Sequence, residues 1–478
     1  MADFTFYWHD YETFGRNPRR DRPAQFAGLR TDDALNEIGP PLVRYCRPAD
    51  DFLPDPESCL LTGITPQTCL DQGIAEPEFA REIEHRLAEP GTVGVGYNSI
   101  RFDDEVTRHL FWRNLIDPYA REWQHGCGRW DLLDVLRCAY ALRPDEFEWP
   151  LDDDRRVTFR LEKLAAVNGI AHEAAHEALS DVQATLALAR LLRERNRRLW
   201  DFTLRLRHKD AVWVEIGTGT PRPFLHVSGR YPVEQGCLAV VWPLGMHPTN
   251  RNEVIVWNLA HDPSELPDLD TATIRERLFN RADDLPDGVA RLPIKTIHVN
   301  RSPIVIGQVK TLTTAQAERW DIDMGVVERH AAAAAALPDL RDRWAEVFAR
   351  PLLETPADVD EDLYGAFIGR ADRRTLDRLR ATPPERWNLA RVHFDDARLE
   401  ELCFRYRARN ARQALTGEEL ARWQAHRAAR LHGGESAALT LRAYFERIDA
   451  LSKGVDDRGE EVLAALYQYA GGMAAEMA

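Results

Sequence analysis

The stretch FTFYWHDYETFG, residues 4–15, begins as an apolar run and ends with two carboxylates one residue apart. The run over residues 4–8 is typical of a buried strand. Because side chains at positions i and i+2 of a strand point to one face, we expect Asp10 and Glu12 to project together. Two carboxylates held that close repel each other, and burying them is unfavourable unless a cation compensates. The stretch therefore predicts either a site for a hard divalent ion such as Mg²⁺ or a strand end that runs into solvent.

Two further segments place acidic residues near the start of a helix. In GYNSIRFDDE a short apolar strand ends near Tyr97 and a helix begins at about Asp103, where an aspartate is either a helix N-cap or part of a site. In HEALSDVQAT a helix begins near Ser180 and places Asp181 in its first turn, with His176 just before it. A single histidine in that position is either structural or catalytic. Each motif alone is therefore open to a purely structural interpretation.

Composition indicates a folded protein of several domains. The chain has 478 residues, enough for roughly two to four domains, and its apolar content is normal for a globular protein. No run of about 18 apolar residues occurs, and the amino terminus lacks the pattern of a signal peptide. The seven cysteines are scattered without a C-x-x-C pair, which argues against a zinc knuckle or a disulfide framework. We therefore expect a protein of the reducing cytoplasm that has no membrane partner.

The pattern of apolar residues predicts three successive regions. An α/β unit comes first, with antiparallel strands, a further strand and helices expected at 4–9, 24–30 and 41–47, at 92–98, and near 79–87, 103–114, 131–142 and after Ser180. The region 202–348 carries shorter β-like segments, AVWVEIG at 211–217 among them, with one helical insertion at 271–282. From about residue 355 helical patterns dominate, after a segment at 349–364 that looks like a linker.

The charge of the chain is unevenly distributed. The net charge of −15 argues at first against a nucleic-acid partner, because phosphate binding is driven by positive charge. Two stretches, 193–209 and 404–412, are nevertheless strongly basic. Each is either a solvated helix face or part of a nucleic-acid surface, and composition alone does not decide between them.

Taken together, the three acidic motifs occur in an order that indicates a family. The D-x-E on a first strand, the acid after an N-x-x-x-F pattern and the H-x4-D before a helix resemble the motifs of the DEDDh branch of the DnaQ-like 3′→5′ exonuclease superfamily. Further segments resemble the bacterial exonuclease I family along essentially the whole chain: DRPAQFAGLRTD, GYNSIRFDDEVTR, RWDLLDV, ALRP, FRLEKL, HVSG, HPTNRN, IHVNRSP and FRYRARN. The resemblance implies an RNase H-like (DnaQ-like) α/β exonuclease domain with a mixed sheet at 1–196, a β-rich SH3-like domain at 202–348 and an all-helical carboxy-terminal domain at 355–478.

The resemblance also implies a metal-dependent reaction, the 3′→5′ hydrolysis of single-stranded DNA to 5′-mononucleotides in DNA repair and recombination. Two Mg²⁺ ions, which Mn²⁺ can replace, are then expected on four carboxylates: Asp10, Glu12, Asp103 and Asp181. His176 is expected to act as general base. Glu12 and Arg160 are expected to contact the substrate, although Arg160 also fits a surface ion pair with Glu162.

DNA that is degraded from its end requires a basic groove with aromatic platforms. The resemblance implies these contacts: Arg108, Tyr119, Trp123, Arg137, Lys209, Asn252, Lys295 and Asn300. Alternatively, the two aromatic residues belong to the core and the charged ones are solvated. The family also docks the acidic carboxy-terminal tail of the single-stranded DNA-binding protein, which implies three contacts: Arg143, Arg222 and Gln308. Thr313 and Ala335 stand where arginines would be expected, and we expect a monomer because no oligomerisation signal stands out.

Two other functions fit parts of the sequence. A related DEDDh nuclease that acts on RNA or short oligonucleotides, as RNase T-like enzymes do, would share the acidic motifs. A long region after the catalytic unit argues against it. A nucleic-acid-binding module with a decayed catalytic unit would lack some of the five catalytic residues, whereas all five are present here.

Overall fold

A computed structural model describes residues 4–171, 177–217, 219–349, 358–433 and 439–477. These residues divide into two compact units. The first unit combines described residues of the ranges 1–128, 173–183 and 355–478, and the second combines those of 129–172 and 184–354. The carboxy-terminal part of the chain therefore belongs to the same unit as the amino-terminal part. Among the described residues, no helix is both long and apolar enough to cross a membrane.

The strands are, in chain order, β1 (Thr5–Thr13), β2 (Pro23–Thr31), β3 (Leu42–Tyr45), β4 (Thr92–Gly96), β5 (Gly128–Asp131), β6 (Phe224–Val227), β7 (Leu238–Met246), β8 (Glu253–Asn258), β9 (Ile294–His298) and β10 (Ile304–Ile306). The helices up to residue 216 are α1 (Pro56–Thr62), α2 (Pro66–Gln72), α3 (Glu76–Leu87), α4 (Asp103–Arg113), α5 (Leu132–Leu142), α6 (Leu161–Val167), α7 (Ala178–Arg195), α8 (Arg197–Arg205) and α9 (Lys209–Ile216).

The later helices are α10 (Thr271–Phe279), α11 (Thr314–Arg319), α12 (Met324–Ala335), α13 (Arg341–Val347), α14 (Arg370–Arg380), α15 (Arg398–Asn410), α16 (Gly417–His432), α17 (Leu441–Leu451) and α18 (Asp457–Met477). Every strand that the structure describes thus lies before residue 307. The prediction of a helical carboxy-terminal region is confirmed.

The first unit contains a sheet in which β3, β2, β1 and β4 lie side by side in that order. β1 runs antiparallel to β2 and parallel to β4, so the predicted mixed sheet is confirmed. The pairing of β1 with β4 ends at Trp8, opposite Val95. β1 itself continues to Thr13. Asp10 and Glu12 therefore lie beyond the last residue that β4 pairs, near the point where the chain leaves β4 and enters α4.

The second unit contains an antiparallel sheet with the strand order β10-β6-β7-β8-β9, and the prediction of a β-rich region is confirmed. One predicted strand is wrong, because AVWVEIG at 211–217 lies mostly in α9. Val212 and Ile216 are buried there. Their spacing of four residues places both on one face of a helix, whereas a short apolar run rich in β-branched and aromatic residues indicates a strand.

The basic stretch 404–412 is largely buried in ion pairs. Arg409 Nη2 lies 2.7 Å from a carboxylate oxygen of Asp51 and 2.5 Å from one of Asp360, and both acids are buried. Arg405 and Arg407 are also buried. Both alternatives drawn from the sequence, a solvated face and a nucleic-acid surface, are wrong for these arginines, because acids from distant parts of the chain neutralise them.

The segment 349–364 was predicted to be a linker, but its part at 358–364 is packed rather than linker-like. Residues 358–364 pack into the first unit, with Val359 and Leu363 buried. The indole Nε1 of Trp112 donates a hydrogen bond to the carbonyl oxygen of Val359 at 2.7 Å. This part of the segment therefore joins the helical region to α4.

Candidate metal centre

Three carboxylates from distant parts of the chain meet at the end of β1. Asp10 and Glu12 lie two residues apart on β1, and Asp181 comes from the first turn of α7. One oxygen of each lies within 4.8 Å of the others. Glu12 is 8% exposed, and Asp10 and Asp181 are half-buried. The fold therefore gathers acids of the first and third motifs into one cluster.

Asp103, the first residue of α4, is held against the same strand. Its Oδ1 accepts a hydrogen bond from the backbone N–H of Tyr11, at 3.1 Å. Tyr11 is the residue between Asp10 and Glu12. The residue that caps α4 is Phe102, and it forms no side-chain cap bond. The interpretation of Asp103 as an N-cap is therefore wrong, because its carboxylate is directed to the neighbouring strand.

Burial and mutual repulsion disfavour the ionised state of this cluster. Burial raises the pKa of Asp10 well above its usual value, and the charges of Asp103, Asp181 and Glu12 raise it further. Burial also raises the pKa of Glu12 to about 8, with contributions from Asp181 and Asp103. A divalent cation would compensate this repulsion, and carboxylate oxygens are the ligands that hard ions prefer. The donor set therefore fits a divalent metal ion.

Two positioning contacts were not predicted from the sequence. Gln25 on β2 pairs in register with Glu12, and its Oε1 accepts a hydrogen bond at 3.3 Å from the backbone N–H of Ala178, at the start of α7. The hydroxyl of Thr107 on α4 donates to the Tyr11 hydroxyl at 3.0 Å. For the first contact, the signal available in the sequence was a glutamine within the otherwise apolar run of β2. These bonds fix the two helices that carry Asp103 and Asp181 to the sheet.

Two further predicted residues cannot be placed beside the cluster. His176, expected as general base, lies outside the described residues. Arg160 lies in the second unit, where it is exposed and directly precedes α6. Their roles stay predictions.

In the first unit, the predicted DNA contacts differ in accessibility. Arg108 is buried, and its guanidinium lies 2.7 Å from carboxylate oxygens of both Glu105 and Glu122. Its Cζ also lies 5.3 Å from the ring centre of Tyr119. Trp123 is 67% exposed, so the alternative that it belongs to the core is wrong. Tyr119 is half-buried.

In the second unit, two predicted DNA contacts have polar partners. Arg137 forms an ion pair with Asp134 at 2.7 Å, and Lys295 Nζ lies 2.8 Å from Nε2 of His226. The other predicted contacts there are exposed or half-buried: Lys209, Asn252 and Asn300. The roles of these residues in DNA binding stay predictions.

The three residues predicted to bind a protein tail are all exposed in the second unit: Arg143, Arg222 and Gln308. Thr313, which stands where an arginine would be expected, is the N-cap of α11 and forms a capping box with Gln316. An arginine could not form that cap, because the bond requires a short side-chain oxygen. The departure at this position therefore has a local structural reason.

Comparisons with known proteins cover nearly the whole chain. Three family descriptions match consecutive parts: "Exonuclease" over residues 7–189, "Exonuclease I SH3-like domain" over 207–350 and "Exonuclease I C-terminal domain" over 357–473. Exodeoxyribonuclease I of Escherichia coli (strain K12) is 43% identical over 98% of this chain and 97% of its own length. That of Haemophilus influenzae is 40% identical over 98% of this chain and 98% of its own.

Solved structures show the same similarity. Exonuclease I from Methylocaldum szegediense superimposes with a TM-score of 0.93 at 45% identity, covering 98% of this chain and 99% of that one. E. coli exonuclease I in complex with a dA16 oligonucleotide gives a TM-score of 0.93 at 41% identity, with 98% and 100% covered. E. coli exonuclease I with single-stranded DNA in a zinc-bound form gives a TM-score of 0.92, and an ExoI/SSB-Ct complex gives 0.91. Each is 41% identical to this chain, with 98% of this chain and 99% of that one covered.

Proposed function

The chain belongs to the exonuclease I family, whose members degrade single-stranded DNA from its 3′ end, and we propose that its clustered acids bind the divalent ions for this reaction. The ligands in this proposal are four carboxylates: Asp10, Glu12, Asp103 and Asp181. The observation that carries it is the approach of three carboxylate oxygens to within 4.8 Å of one another. The exonuclease family uses divalent metals. We propose two Mg²⁺ ions in the cell, which Mn²⁺ can replace.

We propose separate roles in hydrolysis for the bound ions and for the predicted site residues. Bound divalent ions supply activation of water and stabilisation of the negative charge that develops on the leaving 3′ oxygen. His176 takes the proton of the attacking water as general base. Glu12 and Arg160 contact the terminal nucleotide, where the guanidinium balances phosphate charge. The product is a 5′-mononucleotide, and the shortened strand keeps a 3′ hydroxyl.

The wider surfaces belong to the same proposal. The residues predicted as DNA contacts bind the strand ahead of its 3′ end, which requires a locally positive groove despite the negative net charge of the chain. The similarity of this chain to an ExoI/SSB-Ct complex supports a second partner, the carboxy-terminal tail of single-stranded DNA-binding protein. We propose that this tail binds through Arg143, Arg222 and Gln308. We propose a monomer that acts in DNA repair and recombination in the cytoplasm. All seven cysteines are free and buried, as is usual in a reducing compartment.

A labelled-strand assay tests the reaction and the substrate together. Single-stranded DNA, duplex DNA and RNA, each labelled at the 3′ end, are incubated with Mg²⁺ or with EDTA. We expect single-stranded DNA to be degraded fastest, and only with Mg²⁺. Faster loss of RNA would refute the substrate assignment, and binding without metal-dependent cleavage would indicate a binding module instead.

A further inference from the structure

A turn in the second unit lies against two of the predicted DNA contacts. It covers residues 226–231 at the end of β6, includes the motif HVSG, and is called the β6 turn below. The backbone N–H of Tyr231 donates to the carbonyl oxygen of Ser228 at 3.0 Å, and that of Ser228 donates to the carbonyl oxygen of Cys237 at 2.8 Å. The backbone of the β6 turn is therefore fixed by hydrogen bonds on both sides of Ser228.

The buried ring of His226 holds the first of these contacts, Lys295, through a defined tautomer. His226 Nδ1 lies 2.9 Å from the carbonyl oxygen of Ile304. A carbonyl oxygen only accepts hydrogen bonds, so Nδ1 carries the proton and Nε2 of the neutral ring is an acceptor. Lys295 Nζ lies 2.8 Å from Nε2 and donates to it. The ring of His226 therefore fixes the position of the ammonium group.

The bond between His226 and Lys295 joins strands that are not neighbours in the sheet. His226 lies on β6 and Lys295 on β9, and β7 and β8 come between them in the strand order. The ring of Tyr231 contacts the same ammonium, with its centre 4.8 Å from Nζ. A lysine that extends into solvent samples many rotamers, and these contacts restrict them. Less conformational entropy is then lost when the ammonium binds a phosphate.

The contacts of His226 and Tyr231 hold the Lys295 ammonium without neutralising it. His226 is a neutral acceptor in this bond. Burial raises the pKa of Tyr231 well above its usual value, so its phenol stays uncharged. Arg409 is different, because its guanidinium lies against two buried carboxylates. His226 and Tyr231 therefore orient a positive charge instead of cancelling it.

Gly229 leaves the space that the second predicted contact, Arg137, occupies. A Cβ at position 229 would lie 2.5 Å from Arg137 Cζ, which is shorter than any normal contact. The same guanidinium lies 2.7 Å from a carboxylate oxygen of Asp134, and its Cζ is 5.6 Å from the ring centre of Phe159. The φ angle of Gly229 is not positive, so the close approach of Arg137 favours glycine here, and backbone strain does not.

We propose that the β6 turn is a positioning element of the DNA surface, in which His226 orients Lys295 and Gly229 makes room for Arg137, so that both cations meet phosphates of the single strand. This inference rests on the proposed function, which includes Lys295 and Arg137 as DNA contacts. Phosphate contacts fix the register of a protein on nucleic acid, and cations held in place suit that task. His226 and Gly229 do not touch DNA in this proposal and act through their neighbours.

A double-mutant cycle on the full-length chain tests the contact of His226. His226→Asn keeps a short donor for the carbonyl oxygen of Ile304 but has no acceptor that reaches Lys295, and Lys295→Met removes the charge. Binding of an oligothymidylate of about 15 nucleotides is measured by fluorescence anisotropy in EDTA. We expect His226→Asn to weaken binding by roughly 3- to 10-fold in the parent and by less than about 2-fold in the Lys295→Met background.

The salt dependence of the same binding shows whether Lys295 contacts a phosphate. Lys295→Met should reduce the slope of log affinity against log salt by about 0.7, the value for one lost phosphate contact on a single strand. Each variant is first shown to be folded by a cooperative urea transition.

A second cycle tests Gly229 and does not depend on the stability of His226→Asn. Alanine fits the backbone of Gly229, and its Cβ displaces only the end of a flexible side chain. Gly229→Ala should weaken binding by roughly 3- to 10-fold in the parent and by less than about 2-fold in the Arg137→Met background. The matched control is Gly454→Ala, where a Cβ would meet no atom within 4 Å, and it should bind as the parent does.

The outcomes separate this inference from the proposed function. If Lys295→Met and Arg137→Met bind as the parent does, the proposed DNA contacts fail and the inference fails with them. If these two variants weaken binding but His226→Asn and Gly229→Ala do not, only the inference is overturned. Losses that add in full within each cycle also overturn it, because they would show that His226 and Gly229 act independently of the two cations.

Discussion

Replacing Glu12 with glutamine should stabilise the metal-free protein, although the change also removes a proposed metal ligand. Burial and the neighbouring carboxylates raise the pKa of Glu12 from 4.5 to about 8. The unfolded chain therefore loses this proton at lower pH than the folded protein does, and stability falls as the pH rises through this window. Each pH unit costs about 1.4 kcal/mol, so the wild-type protein loses about 3 kcal/mol by pH 7. The Glu12→Gln protein does not lose this stability, because glutamine does not ionise.

Urea unfolding in EDTA measures this effect at several pH values. Near pH 5 the two proteins should differ by less than about 1 kcal/mol, and near pH 7 the Glu12→Gln protein should be more stable by about 3 kcal/mol. The control is Glu148→Gln at an exposed glutamate, which should change stability by less than about 0.5 kcal/mol at either pH.

Addition of Mg²⁺ should narrow or reverse the difference in free energy of unfolding between the two proteins. A ligand that binds only the folded state stabilises it, and only the wild-type protein has the complete set of metal ligands. A gap that does not grow with pH, or an absence of stabilisation in EDTA, would refute the account of the carboxylate cluster.

Three other substitutions have separate measurements. Asp10→Ala should abolish cleavage and leave binding of single-stranded DNA in EDTA largely intact by gel shift, whereas a loss of folding would show a structural role. His176→Ala should lower turnover by roughly 10²–10⁴-fold in steady-state kinetics, and a near-normal rate would exclude it as general base. Arg409→Met should destabilise the protein by about 3–5 kcal/mol in urea, because it leaves buried carboxylates without their partner. Arg442→Met, at an ion pair that is 88% exposed on the arginine side, should cost less than about 1 kcal/mol, and similar losses for the two would contradict the argument.

The first strand, β1, shows what can be predicted from local sequence alone. The alternation of side chains along β1 is enough by itself to place Asp10 and Glu12 on one face. The sequence also put Asp103 at the start of α4 and Asp181 in the first turn of α7, and both positions are confirmed. The interpretation of Asp103 as a cap was wrong, because the acceptor geometry depends on the neighbouring strand, which periodicity along one helix does not describe.

Charged and short apolar segments were predicted least well. AVWVEIG satisfies both a strand and a helix pattern, and the packing of Val212 and Ile216 decides for the helix. Arg405 and Arg407 lie in a stretch of surface-like composition, yet they are buried. Gln25 gave only a weak signal, because one polar residue in an apolar strand does not specify its partner.

The order of the three regions, the family and the spacing of the acidic motifs followed from the sequence by itself, because each is written in short runs of consecutive residues. Only the tertiary structure decided which charges meet and which are neutralised. Arg409 and Asp51 are 358 residues apart in the chain and form a buried ion pair, and the carboxylates of β1, α4 and α7 converge in the same way. Neutralisation depends on distance in space and on burial, and neither is encoded in a local pattern.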